Sequence, residues 1–409
     1  MKSRLFKIMS SFAAAVCICI SAGAQQSVQF SVAPNPTHSL LQGQIDWPSG
    51  KLEKWEGPVV LFISSGIPND RDGWLVRAME TVWAKRTPLK ELSAALVKQG
   101  VAVIRFDNPG VLSHTKRCRE TIFNRGLSEQ ILWQNCLDLE IVSRFTPDRY
   151  VDHIEQVVFH IQDLMPAAHK KLVLFGFSEG LMHAAALADR GSVKLRGFIS
   201  IGSPAEEFYS LSRWQGTDRV METLDAFDAN ADGIITNEEI TQGYRKGVNR
   251  FMSLSGWLSE DGYWDSKNRH LLADSVASSY DQILKDFSEV SGAGRLDWKT
   301  QANGVQVPDM TEALWRLHFY GQTSPAKVMQ RLGIPGLFLW GGKDLQVGLD
   351  RQVALIDQVN DQGADIVYKR YQARHHLLSQ REDLDWLEKN FMPVVAKDVV
   401  RFLNSHVRN

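Results

Sequence analysis

Lys171 to Gly180 reads KLVLFGFSEG, and this stretch decides the fold. Lys171 to Phe177 is an almost unbroken apolar run, the pattern of a strand buried on both faces. It ends in Gly176-Phe177-Ser178-Glu179-Gly180, a G-x-S-x-G match, and helical patterning follows at once from Glu179 to Asp189. A serine at a sharp strand-to-helix turn holds its hydroxyl clear of the backbone. The flanking glycines relieve crowding there, and the helix N-terminus favours developing negative charge. Ser178 is the candidate nucleophile.

Similar apolar runs lie on both sides. Gly57 to Ser65 (GPVVLFISS), Val101 to Asp107 (VAVIRFD) and Leu195 to Gly202 (LRGFISIG) read as strands. So do Gly336 to Gly341 (GLFLWG) and Asp365 to Tyr371. Between them, helices are predicted over Leu75 to Gln99, broken near Pro88, and around Asp350 to Gln362. A last helical region runs from about Asp383 to the C-terminus. Buried strands alternating with helices predict an α/β fold, with a mostly parallel central sheet and helices on both faces. The alternation stops over residues 206–331, which predicts an inserted, mainly helical cap. The core is then split into residues 25–205 and 332–409.

The chain has 409 residues, 44% hydrophobic and 23% charged, which is ordinary for a globular protein with a real core. With 46 basic and 47 acidic residues there is no global footprint for nucleic acid. Residues 1–24 have the pattern of a signal peptide: Lys2, Arg4 and Lys7, an apolar run from Ile8 to Ile20, then Ala22-Gly23-Ala24. This predicts an exported protein, periplasmic or secreted. No membrane span is expected once that segment is removed. Cys17 and Cys19 would leave with it. Cys118 and Cys136 remain and are expected to pair in an oxidising compartment.

A serine nucleophile needs a base, and the base needs an orienting carboxylate. The run GLFLWG ends in Gly341-Gly342-Lys343-Asp344, which puts a carboxylate just past a strand's C-terminal end, on the same sheet edge as Ser178. After the next strand comes Ala373-Arg374-His375-His376-Leu377-Leu378. One of these histidines is the candidate base, and spacing does not choose between them.

A second motif lies inside the cap. Asp228-Ala-Asn230-Ala-Asp232-Gly233-Ile234-Ile235-Thr236-Asn-Glu-Glu239 fits the twelve-residue EF-hand calcium loop position by position. Asp228, Asn230 and Asp232 offer side-chain oxygens, Ile234 its carbonyl, and Thr236 a ligand often reached through water. Gly233 permits the bend, and Glu239 closes the loop as a bidentate carboxylate. Ile235 sits where such loops usually pair with a second one. No second complete loop is legible, because Glu260-Asp261-Gly262 and Asp297 lack the remaining ligands. Residues 218–227 and 238–248 are predicted as the entering and exiting helices. The expected ion is a structural Ca2+ that staples the cap, with no cofactor for catalysis.

On these motifs the chain resembles the α/β-hydrolase superfamily over nearly all its length after the leader, with the cap as the divergent part. The resemblance aligns Asp344 with the family's acid at a G-x-x-D turn. It aligns His376, followed by two leucines, with the base, and His375 with the asparagine before it. Ser64-Ser65-Gly66-Ile67-Pro68-Asn69-Asp70-Arg71-Asp72-Gly73 is similar to an H-G-S-G-P-x-D-R-D-G loop in one esterase group, with Ser64-Ser65 in place of His-Gly. It implies oxyanion-hole N–H groups from Gly66 and Glu179, with Ile67 the alternative to Gly66. Phe106 to Leu112 matches a Y-D-x-R-G-x-G turn in part, with Pro109 and Leu112 as departures. Asp70, Arg71 and Asp72 read as buried ion pairs that hold the loop.

The expectation is a serine hydrolase acting on small-molecule carboxylic esters through Ser178, His376 and Asp344. A peptidase or thioesterase on the same triad is the alternative. From another class, the rival is a calcium-dependent binding protein on an inactive hydrolase scaffold.

Overall fold

Alternate residues of the apolar runs feed two separate cores, one on each side of the sheet. The fold is taken from a computed structural model. It describes residues 25–32, 41–65, 69–73, 87–123, 134–143, 146–248, 253–292, 298–300, 306–308, 320–380 and 387–407, with backbone only from 286 to 308. The leader 1–24 and Gly66 lie outside the described residues.

The chain enters through β1 (Gln26–Val32) and β2 (Leu41–Trp47), an antiparallel pair that the sequence reading missed. Then come β3 (Val59–Ile63), α1 (Pro88–Val97), β4 (Ala102–Phe106), α2 (Pro147–Leu164), β5 (Leu172–Phe177), α3 (Gly180–Asp189) and β6 (Gly197–Ile201). Here it leaves the sheet for α4 (Phe208–Gly216), α5 (Asp218–Asp225), β7 (Ile235–Thr236), α6 (Asn237–Lys246) and α7 (Leu254–Trp257). β8 (Tyr263–Trp264), α8 (Ser266–Gly292), β9 (Trp298–Thr300) and β10 (Gln306–Pro308) follow. It returns through α9 (Pro325–Leu332), β11 (Gly336–Gly341), α10 (Leu349–Asp361), β12 (Ile366–Tyr371) and α11 (Met392–His406).

The main sheet has eight strands in the order β1-β2-β4-β3-β5-β6-β11-β12. β2 meets both neighbours antiparallel, and all pairings from β4 to β12 are parallel. Val59, Leu61 and Ile63 of β3 face one core with Leu172 and Leu174 of β5, under α2, α3 and α10. Val60 and Phe62 face the other with Val173, Phe175 and Phe177, under α1 and α11. β3, β4, β5, β6 and β11 are buried along their whole length. This is the α/β-hydrolase fold.

Two helix boundaries fall at prolines. The described helix begins at Pro88, which stands in its first turn, where a missing N–H costs nothing. The stretch 75–86 lies outside the described residues. The last described helix starts at Met392, again with a proline in its first turn, and Asp383 lies outside the described residues.

Between β6 and α9 a small core of its own forms from Leu224, Phe227, Ile235, Ile240 and Trp257. β7 pairs antiparallel with β8, matching Ile235 with Trp264 and Thr236 with Tyr263. This pairing gives the loop at 228–239 a partner, though not a second complete set of ligands. The Ile235-to-Trp264 offset carries Asn230 onto Ser259, Asp232 onto Asp261, Gly233 onto Gly262, Thr236 onto Asp265 and Glu239 onto Asn268. Gly233 and Gly262 share the left-handed backbone, at φ 82° and 85°. The Asp232 N–H donates to Asn230 Oδ1 at 2.9 Å, and the Asp261 N–H to Ser259 Oγ at 3.2 Å. The Glu239 N–H donates to Thr236 Oγ1 at 3.1 Å, and the Asn268 N–H to Asp265 Oδ1 at 2.8 Å. A second loop of the same build is therefore present. Trp257 stands where the first ligand would be, and it fills the shared core instead.

Candidate active site

The turn after β5 folds as it does because two glycines let the chain pass through space a side chain would fill. A Cβ on Gly176 would lie 2.3 Å from the Leu181 amide nitrogen, and one on Gly180 would lie 2.1 Å from the Ile63 carbonyl oxygen. Ser178 itself takes a left-handed backbone, φ 52°, which costs an L residue about 1–3 kcal/mol. Its N–H donates to the Ile201 carbonyl at 2.9 Å, which ties the strained turn to β6.

Ser178 Oγ lies 3.1 Å from His376 Nε2. His376 Nδ1 lies 2.9 Å and 3.1 Å from the two carboxylate oxygens of Asp344, whose side chain is fully buried. Asp344 Oδ1 also accepts from the Gln346 N–H at 2.8 Å. The structure thus places His376, and not His375, between the serine and the acid. The backbone reverses just after it, through Leu377 and Leu378 at φ 50° and 59°. Both leucines are buried in the core under α1 and α11, which anchors the reversal. Glycines again make room. A Cβ on Gly341 would lie 2.2 Å from the His375 carbonyl oxygen, and one on Gly202 would lie 3.1 Å from the His376 ring.

On the other side of the serine, Ser64 Oγ donates to Asn108 Oδ1 at 2.8 Å, and Tyr150 Oη donates to the same oxygen at 3.0 Å. Asn108 Nδ2 reaches the Ser65 carbonyl at 3.1 Å. Burial pushes the Tyr150 phenol well above its ordinary value, and the nearby Glu179 carboxylate adds to this, so the phenol stays a donor. Of the residues read as ion pairs, Arg71 and Asp72 form them. Arg71 binds Asp107 at 2.6 Å, Arg105 binds Asp46 at 2.8 Å and also engages Asp72, and all but Asp72 are almost wholly buried. Burial raises the Asp107 carboxyl, but hydrogen bonds and charge from His114 and Arg71 outweigh it and hold the group below its usual value.

One network was not foreseen. Glu179, next to Ser178, places its carboxylate 3.9 Å from Nε2 of the fully buried His183. His183 Nδ1 pairs with the Tyr320 hydroxyl. The i,i+4 spacing of Glu179 and His183 on one helix was the available signal. Cys118 and Cys136 are joined as a disulfide. Of the cap aromatics, Trp214, Trp257 and Tyr320 are buried and Tyr263 is 41% exposed. Phe251, Trp315 and Phe319 lie outside the described residues, as does the side chain of Trp298.

The loop after α5 is closed by its own side-chain oxygens: the Gly233 N–H donates to Asp228 Oδ2 at 3.0 Å, and the Ile234 N–H to Asp232 Oδ1 at 2.8 Å. Asp228 Oδ1 is buried with no hydrogen-bond partner among the described residues. A carboxylate oxygen so placed is costly unless a cation meets it, so the residues fit the ion. Glu239 is the exception. Its Oε2 accepts from the Thr236 N–H and hydroxyl, both at 2.9 Å, completing a capping box on α6. Among the described residues no three acidic, histidine or cysteine side chains converge as a ready cluster. To meet a cation, the carboxylate of Glu239 would have to leave Thr236.

Fold and site together define an α/β-hydrolase sheet carrying a serine, a histidine and a buried aspartate in hydrogen-bonded sequence. Solved structures with likeness to the chain include Est1E from Butyrivibrio proteoclasticus, at 10% identity and TM-score 0.44, covering 93% of this chain and 99% of that one. The Pyrococcus horikoshii acylaminoacyl peptidase is similar at 12% identity and TM-score 0.46, covering 94% and 42%. Fungal esterases from Rhizomucor miehei are similar at 12% identity and TM-score 0.46, covering 93% and 84%. No protein-family model matches the chain, and no curated protein matches it by sequence. No helix among the described residues is long and apolar enough to cross a membrane.

Proposed function

We propose that the protein is an exported serine hydrolase that cleaves carboxylic esters through an acyl-enzyme. The observation that carries this is the pair of hydrogen-bond distances at His376, 3.1 Å to Ser178 Oγ and 2.9 Å to Asp344 Oδ2. His376 takes the serine proton as Oγ bonds to the acyl carbon. The backbone N–H groups of Glu179 and Gly66 are assigned to the oxyanion, each worth about 3 kcal/mol. Asp344 holds the imidazole in one tautomer and supports its charge. The histidine then gives its proton to the departing alkoxide. Water attacks the acyl-enzyme with the same base, releasing the carboxylic acid and restoring the serine.

We assign Asp228, Asn230, Asp232, Ile234, Thr236 and Glu239 to a structural calcium ion. When bound it supplies a fixed positive charge that neutralises the loop's carboxylates and closes the loop. The orphaned Asp228 Oδ1 supports this. The disulfide supports export, since such bonds persist in oxidising compartments.

The test is a matched set of p-nitrophenyl acyl esters, acyl p-nitroanilides and acyl thioesters at fixed calcium. Ester cleavage with kcat/KM at least about a hundredfold above the anilides is expected. Comparable rates on anilides or thioesters would move the assignment to a peptidase or thioesterase.

A further inference from the structure

We infer that Arg219 is a positioning residue for the catalytic acid, and that through it the calcium loop controls the triad. This rests on the calcium reading above.

The acid loop follows β11 and runs from Asp344 to Gly348. Arg219 lies in the first turn of α5, the helix that enters the calcium loop. Its Nη1 donates to the Leu345 carbonyl and to Gln346 Oε1, both at 3.3 Å. Gln215 Nε2, at the end of α4, donates to the Gln346 carbonyl at 2.6 Å. The Gln346 N–H is in turn the one that holds Asp344 Oδ1. Two side chains from the inserted segment therefore grip the residue that orients the acid.

Trp214 completes the joint. Its indole N–H donates to Glu222 Oε1 of α5 at 3.1 Å, and the Arg219 guanidinium lies 5.8 Å from its ring. A Cβ on Gly348 would lie 2.9 Å from that ring, so the acid loop abuts the tryptophan directly. The joint leaves little slack.

At the other end of α5, Leu224 and Phe227 pack with Ile235 and Ile240 in the small core. Asp228 follows at once. The helix is eight residues long, which at about 1.5 Å per residue sets its two ends roughly 12 Å apart. When Asp228 and Glu239 close on an ion, the tightened core fixes the pose of α5, and Arg219 passes that pose to Leu345 and Gln346. By linkage, occupancy of the loop and order in the acid loop favour each other.

The experiment is hydrogen–deuterium exchange on the full protein with calcium and with chelator, beside ester kinetics. In the wild type, calcium slows exchange in both 228–239 and 342–349 and raises kcat on the order of 5- to 100-fold with little change in KM. In Arg219→Ala, 228–239 still slows with calcium, which also shows that the variant is folded. Its 342–349 segment no longer responds, and kcat loses its calcium dependence. Arg219→Lys restores part of both. If 228–239 responds in the wild type and 342–349 does not, the coupling is wrong and the calcium site stands. If 228–239 shows no response, the calcium reading falls and the coupling falls with it.

Discussion

Gly180 lies so close to Ile63 that a methyl group added to it would meet the Ile63 carbonyl oxygen at 2.1 Å. The turn at Ser178 can sit against β3 only because that position has no side chain. The obstacle is backbone, so it cannot swing aside. Gly180→Ala should lower stability by about 1–3 kcal/mol in urea unfolding and displace the serine, with a larger loss in kcat than in stability. An active, equally stable alanine variant would contradict the described turn.

Glu239 serves two masters, the capping box of α6 and the proposed ion. Glutamine suits a capping box as well as glutamate does, but it is a poor calcium ligand. Glu239→Gln should therefore melt within a degree or two of wild type in chelator and lose the calcium-induced rise in Tm. That rise reflects binding to the folded state alone, about 2.7 kcal/mol at a hundredfold excess over Kd. A calcium-dependent rise equal to wild type would exclude Glu239 as a ligand.

Acid should weaken the protein partly through Asp107. Its folded-state carboxyl lies below the usual value despite burial, because His114 and Arg71 hold it ionised. The stability it contributes is fully present above the unfolded value, about 3.9, and is lost as pH falls through the depressed folded value. Urea midpoints taken from pH 6 down to 2 should fall more steeply in wild type than in Asp107→Asn. The variant should also be less stable near neutrality by about 3–5 kcal/mol, because the buried Arg71 loses its counter-charge. Parallel curves would show that Asp107 is not part of the acid response.

The disulfide closes a loop between residues 18 apart in sequence, a size that constrains the unfolded chain by about 3 kcal/mol. A Cys118→Ser, Cys136→Ser double variant should unfold at correspondingly lower urea concentration. An unchanged midpoint with reductant would show that the bond does not stabilise the native state.

Legibility in the sequence followed burial. β3 to β6 and β11 are covered on both faces, so their apolar runs were continuous and readable. β1 has five exposed residues of seven, which leaves no run to see, and the hairpin was missed. The spacing of the two histidines left the base open. The choice falls to a backbone reversal through Leu377 and Leu378, which no residue type advertises. The first loop, 228–239, was legible because its side-chain oxygens and its glycine fall at the EF-hand spacing. The second was hidden because Trp257 and Asn268 replace ligands at its two ends. Ser259, Asp261, Gly262 and Asp265 kept their character between those ends, and the register of Ile235 with Trp264 was needed to expose it. The grip of Arg219 on Leu345 and Gln346 joins residues far apart in the chain, and a single sequence carries no sign of it.

The central claim is that Ser178 is an activated nucleophile. Fluorophosphonate labelling of the folded protein in calcium, followed by intact mass and peptide mapping, tests it without any assumption about substrate. The account predicts one adduct per chain, on Ser178, absent in His376→Ala and slowed about 10⁴-fold in Asp344→Asn. No adduct on the folded wild type, or equal labelling in His376→Ala, would contradict it and turn attention to a binding role for the inserted segment.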